Sequence, residues 1–225
     1  MPNKSIADPS LPKEPQDQEV ADDEGLRADA GAAIRNLGHA LVGHHASPDL
    51  LARIVCSVTE HVGELDGYGI RVRPGEDMSN SDDWDQTPDG SVMLSYPDRP
   101  ISGAASPWGV DLVITRDGDG VIGRTTYRSA HEGAPGRVHG GVLAATFDDL
   151  FGFLNQLLEK RAFTGEITVR YEGPTPLNRP IELRARLVGI EGRKQFFEAE
   201  AFDGSTRFAR STATFITVDG FKRND

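Results

Sequence analysis

The stretch that most constrains the fold begins at Val138-His139-Gly140-Gly141 and continues as a long apolar run through Leu158. Leu143, Phe147, Leu150, Leu154, Leu157 and Leu158 recur at spacings of three and four, the mark of a helix with a core-facing stripe. The remaining faces carry little charge before Glu159, so the pattern predicts a helix over about Gly140 to Lys160 that other elements enclose. A chain built on an enclosed helix must supply the layer that encloses it.

The flanking sequence supplies strands. Gly109 to Thr115 and Val121 to Arg128 are β-forming runs joined by Asp117-Gly118-Asp119-Gly120, which has hairpin-turn chemistry. Downstream, Glu166 to Tyr171, Ile181 to Ile190, Gln195 to Ala201 and Arg207 to Thr217 are separated by turn sequences rich in Gly, Pro, Lys and Ser. The expectation is an α+β fold in which an antiparallel sheet of about six strands wraps one long central helix. No strand and helix alternation points to a parallel sheet.

Four segments follow: residues 1–25, Pro-rich, acidic and nearly without aliphatic side chains, read as a disordered tail; 26–66 as a helical pair; 67–100 as a polar connecting loop; and 101–220 as the sheet-and-helix domain. Within the pair, Ser47-Pro48-Asp49 gives a hydroxyl cap, a proline at the first helical position and an acid in the first turn. His39, His44, His45 and His61 lack a carboxylate or Cys at ligand spacing, so they read as solvated rather than metal-binding.

A net charge of -11 disfavours nucleic acid and anionic membrane as partners. Cys56 is alone, which excludes an internal disulfide and fits a reducing cytoplasm. No secretory pattern or membrane-length apolar run occurs, so a cytoplasmic protein is expected.

Two features in the central stretch can do chemistry. An unpaired carboxylate on an apolar helix is costly, so Asp148 needs a partner or a task; small residues near it leave room for a ligand or a second helix. His139-Gly140-Gly141 opens the helix, where unpaired N–H groups and the helix dipole can hold a developing oxyanion, and glycine lets a carbonyl approach. Asp148 stands nine residues beyond His139, roughly 13 Å along the axis. One chain cannot easily offer both to one carbonyl, whereas two antiparallel central helices could. A composite site in a homodimer is therefore expected.

The ordered segments Glu132-Gly133-Ala134-Pro135-Gly136-Arg137-Val138-His139-Gly140-Gly141, Asp148, Thr164 to Tyr171, Pro174-Thr175-Pro176-Leu177 and Gly192-Arg193-Lys194 resemble the hotdog-fold acyl-CoA thioesterases of the phenylacetate-pathway type, over about residues 108–218. The resemblance implies Asp148 as general base or nucleophile, in preference to Asp149, with the Gly140 N–H, beside Gly141, polarising the thioester carbonyl. It further implies that His139 shapes this turn and that the Thr164 hydroxyl orients the acid or water. Arg193 and Lys194 would meet the coenzyme A phosphates, with Arg170 and Asn178 as lesser contacts. No metal or separate cofactor is implied, coenzyme A being part of the substrate, and the partner is a second copy in a homodimer or homotetramer. Two other readings are a non-catalytic acyl-CoA-binding module and a hydroxyacyl thioester dehydratase; the Asp-x-x-x-x-Pro-x-x-x-His pattern of the latter is missing.

Overall fold

The computed structural model describes residues 23–71, 88–94, 96–158 and 161–218. Residues 1–22 of the expected tail, residues 72–87 and 95 of the polar loop, and the expected end of the central helix at 159–160 lie outside them.

Helix α1, Glu24–Gly43, opens on Asp23, whose side chain accepts from the Leu26 N–H at 3.0 Å. Helix α2, Pro48–Leu65, begins as its sequence predicts, with the Ser47 hydroxyl accepting from the Leu50 N–H and Pro48 in the first turn. These helices do not fall into one compact unit. Residues 23–44 group with the chain from 75 onward, whereas α2 belongs to a separate unit that includes residues 45–74.

In the larger unit, β1 (Val113–Asp117) and β2 (Gly120–Thr126) form the expected hairpin; Gly118, at the turn, adopts φ +61°, where a side chain would be strained. The central helix α3 spans Gly140–Leu157. Then come β3 (Ala162–Tyr171), β4 (Pro180–Glu191), β5 (Lys194–Asp203) and β6 (Thr206–Thr217). All six strands form one antiparallel sheet in the order β1-β2-β4-β5-β6-β3, with α3 packed against one face: this is the hotdog fold.

Leu143, Phe147, Leu150, Phe151 and Leu154 of α3 are buried against Ile181, Leu183, Phe197, Ala199 and Phe215 of the sheet. Phe151 stacks on Phe197 at 5.9 Å and meets Phe215 edge-on. Phe151 and Asn155 are buried, and the small residues near Asp148 are exposed Gly141 and half-buried Ala144, Ala145 and Gly152.

Strand β3 starts four residues before the sequence pattern suggests, because Gly165 is a bulge: pairing with β6 shifts register between Thr164 and Glu166. An extra residue reverses the alternation of faces. Thr164 therefore shares the helix-facing side with Ile167, Val169 and Tyr171, where unbroken alternation would have sent it outward.

His39 is a correction. It is buried, not solvated, because α1 docks on the domain; His44, His45 and His61 are exposed. The segment ahead of β1 also packs closely: Met93 is in the core, and Val92 bridges Thr115.

Candidate active site

Asp148 is half-buried on α3 and accepts a hydrogen bond from the Thr164 hydroxyl, 2.8 Å from its Oδ1. The bulge at Gly165 makes this contact possible. Asp149 has different surroundings: it is buried, Arg99 Nε donates to its Oδ1 at 2.7 Å, and Arg99 Nη2 donates to its backbone carbonyl at 3.3 Å. The same guanidinium lies over the Phe153 ring, 4.5 Å from its centroid. Of the two acids, Asp149 is tied into packing and Asp148 is left with a hydroxyl and open space.

At the start of α3, His139 is the cap. Its Nδ1 accepts from the Gly141 N–H at 3.0 Å, so this imidazole is the tautomer that leaves Nδ1 unprotonated. The Gly141 N–H is thereby occupied within the chain. The Gly140 N–H has no acceptor among the described residues, and Gly140 borders a cleft of about 470 Å³ lined also by Gly133, Arg137, His139, Tyr171 and Thr175. Of the first two N–H groups of α3, the free donor among the described residues is thus that of Gly140, and the Gly141 N–H fixes the cap.

Two residues of this cleft escape sequence reasoning. Tyr171, at the end of β3, donates from its hydroxyl to the Gly140 carbonyl at 2.7 Å, and a Cβ on Gly140 would lie 3.1 Å from its ring. An aromatic at a strand end carries no signal of its own; only the strand pairing brings it over the helix start. Arg137 lies exposed on the cleft wall without an ion pair among the described residues, whereas Glu172 opposite is held by Arg207 and Arg210.

The remaining expected contacts split between the two ends of β3. Exposed Arg193 lies in the turn between β4 and β5 and exposed Lys194 opens β5, in register with the Phe163 end of β3 through Ile216. Arg161 joins them: its carbonyl accepts from Val218 N–H, as that of Arg193 accepts from Thr217 N–H. This basic group lies at the Thr164 end. Arg170 is exposed near Tyr171, and Asn178, at φ +56°, makes the turn before β4 with its N–H on the Tyr127 carbonyl at 2.8 Å. Phe147, Phe151, Phe153 and Leu154 of α3 are buried within the chain itself.

Gly140 and Asp148 are eight residues apart on a straight helix, ~12 Å along its axis. The chain thus presents two separated half-sites, an N–H donor in a cleft and a carboxylate on a hydroxyl.

Residues 135–209 match the family model described as Thioesterase superfamily. The chain is 34% identical over 90 residues to acyl-coenzyme A thioesterase THEM4 of Mus musculus, covering 39% of each protein, and 31% identical over 89 residues to acyl-coenzyme A thioesterase THEM5 of Homo sapiens, covering 39% of this chain and 36% of that one. It therefore spans about two-fifths of the length of the curated relatives it matches. A crystal structure described as a thioesterase superfamily protein superposes with a TM-score of 0.71 at 24% identity, over 84% of this chain and 90% of that one.

Proposed function

We propose that the chain, with its thioesterase-superfamily segment at residues 135–209 and its hotdog fold, is an acyl-CoA thioesterase that converts acyl-CoA and water into a free acid and coenzyme A. The observation that carries this reading is the pairing of Asp148 with Thr164, set against the free Gly140 N–H in its cleft.

In this reading the Gly140 N–H donates to the thioester carbonyl oxygen, and this hydrogen bond strengthens as negative charge develops there. Asp148, oriented by Thr164, takes a proton from water, and the resulting hydroxide adds to the carbonyl carbon. The tetrahedral intermediate collapses with cleavage of the C–S bond, and the proton held on Asp148 passes to the departing coenzyme A sulfur. Attack by the Asp148 carboxylate itself is the variant: the C–S bond breaks, coenzyme A leaves as the thiolate, and water opens the resulting mixed anhydride to free acid and Asp148, its released proton going to the thiolate. His139 acts through the turn it caps.

The half-sites meet when two chains combine. Strand β3 is at the edge of the sheet, with half-exposed Ile167 and Val169 on its inner face. It carries Thr164 towards one end and Tyr171 at the other, roughly 20 Å apart at the usual strand rise. Antiparallel pairing of two β3 edges about a twofold axis near Ile167 and Thr168 sets the Thr164 end of one chain beside the Tyr171 end of the other. Asp148 of each copy then approaches Gly140 of its partner. Arg161, Arg193 and Lys194 of one chain also come towards Arg137 and Arg170 of the other, gathering positive charge suited to the phosphates of coenzyme A.

The test is release of free thiol from a panel of straight, branched and aromatic acyl-CoAs by the wild-type chain and Asp148→Asn. Turnover of at least one acyl-CoA, lost in the variant, supports the reading. Tight binding without hydrolysis throughout the panel would replace it with a binding module, and undiminished turnover in Asp148→Asn would remove the assigned mechanism.

A further inference from the structure

Outside the two half-sites, the densest polar arrangement joins α1 to the turn that leads into α3. His39 of α1 is buried, and its Nδ1 accepts from the Ala130 N–H at 3.0 Å. Its ring meets that of buried His131 edge-on, with centroids 4.6 Å apart. His131 Nδ1 accepts from the Arg128 N–H at 3.1 Å, and its side chain also hydrogen-bonds to the Gly109 backbone. Both imidazoles thus use Nδ1 to accept from backbone N–H groups.

The connection continues to the cleft. The His131 carbonyl accepts from the His139 N–H at 2.8 Å, so the residue that caps α3 hangs directly on His131. Beyond it, Gly133 packs against His139: a Cβ there would lie 2.8 Å from His139 Cα. The path from α1 to the free Gly140 N–H is therefore His39, Ala130 and His131, His139, Gly140.

Helix α1 is held to this place by more than the histidine pair. Buried Arg35 donates to the Ser106 carbonyl and bridges to Asp111 Oδ1 at 2.9 Å, while Arg128 bridges Asp111 Oδ2 at 3.0 Å and donates to Asn36 Oδ1 at 2.7 Å. Gly31 allows the close approach, since a Cβ on it would lie 2.2 Å from the Ala105 carbonyl oxygen. A helix needed only to cover apolar surface would not use a buried Arg, a buried His set against a second buried His of the domain, and a backbone contact of this kind.

We propose that His131, fixed by His39 of α1, is a positioning residue for the Gly140 oxyanion donor, so that docking of α1 sets how well the turn is ordered. The inference rests on the thioesterase reading for its effect on rate but not for its effect on the turn.

Two substitutions release α1 by different routes: His39→Phe retains ring volume but removes the acceptor for Ala130, and Gly31→Ala pushes on the Ala105 backbone. His39→Asn places an amide oxygen near the former Nδ1 and serves as the rescue. Thiol release is measured together with amide hydrogen exchange at Ala130 and His139. We expect both disruptive variants to lower kcat between about 10- and 100-fold with KM little changed, as for displaced transition-state groups. Exchange should accelerate at both amides, and His39→Asn should restore rate and protection. Faster exchange at Ala130 with full protection at His139 and unchanged kcat would overturn the proposal, leaving α1 as a structural tie. If the wild-type chain hydrolyses no acyl-CoA, the reaction assignment fails, and exchange at His139 alone decides the positioning claim: acceleration supports it, and no change overturns it.

Discussion

Asp148 and Asp149 are neighbours in sequence with opposite surroundings, and they should separate activity from stability. Asp148→Asn removes the proton acceptor while preserving the Thr164 contact through the amide, so thiol release should fall by about 10²- to 10⁴-fold with the unfolding midpoint nearly unchanged. Asp149→Asn removes the charge from a buried ion pair with Arg99, which should cost about 3 kcal/mol or more in urea unfolding. Its effect on kcat should be far smaller. Thr164→Val tests the bulge: loss of one orienting hydroxyl predicts a fall in kcat of roughly tenfold, a single hydrogen bond's worth. The acid Asp148 was legible because small residues surround it in the helical pattern. What Asp149 does was not, because its partner Arg99 is 50 residues away in a segment with no periodicity.

At the level of elements, the helices and strands follow from apolar spacing, caps and turn residues, and the six strands appear near their expected positions. The departures occur where tertiary contact overrides local pattern: the bulge at Gly165 extends β3 backward, and α1 buries His39. A histidine on a polar helix looks solvated until its receptor, here the backbone at Ala130 and the ring of His131, is brought up from 91 residues away. That burial has a consequence in pH. Burial, reinforced by His39 and Arg128 and opposed by the Gly109 hydrogen bond and Asp111, lowers His131 from 6.5 to about 4; His39 is lowered by burial and by Arg128 and Arg35, against Asp111. The neutral phenol of Tyr127 faces His131 edge-on and carries no opposing charge. Because the unfolded chain takes up these protons first, it is favoured as pH falls. Stability from His131 is fully present above pH 6.5 and is lost as pH drops from there towards about 4. Urea midpoints followed from pH 7.5 to 4 should fall through this window, and His39→Asn, with one titrating group fewer, should flatten the fall; an unchanged midpoint down to pH 4.5 would exclude buried neutral imidazoles at this joint.

For the whole molecule, the decisive feature is that one helix carries an N–H donor at its start and a carboxylate ~12 Å further on, too far to act on one carbonyl. Strand β3 is an edge with its inner face half covered, and an edge of this kind is a template for another strand. If two chains share their sites as proposed, two inactive variants should complement each other. Asp148→Asn retains its Gly140 half-site, and Gly140→Val retains its Asp148 half-site while pushing a side chain into the Tyr171 ring, 3.1 Å from a Cβ at that position. Each homodimer then lacks one component in both sites. A heterodimer has one site with both native components and one with neither. Random exchange of subunits makes half of the dimers mixed, so about one quarter of wild-type thiol release should return on mixing after partial unfolding and refolding. Recovery requires donor and acid to come from different chains; a site contained within one chain would give none, whatever the oligomeric state.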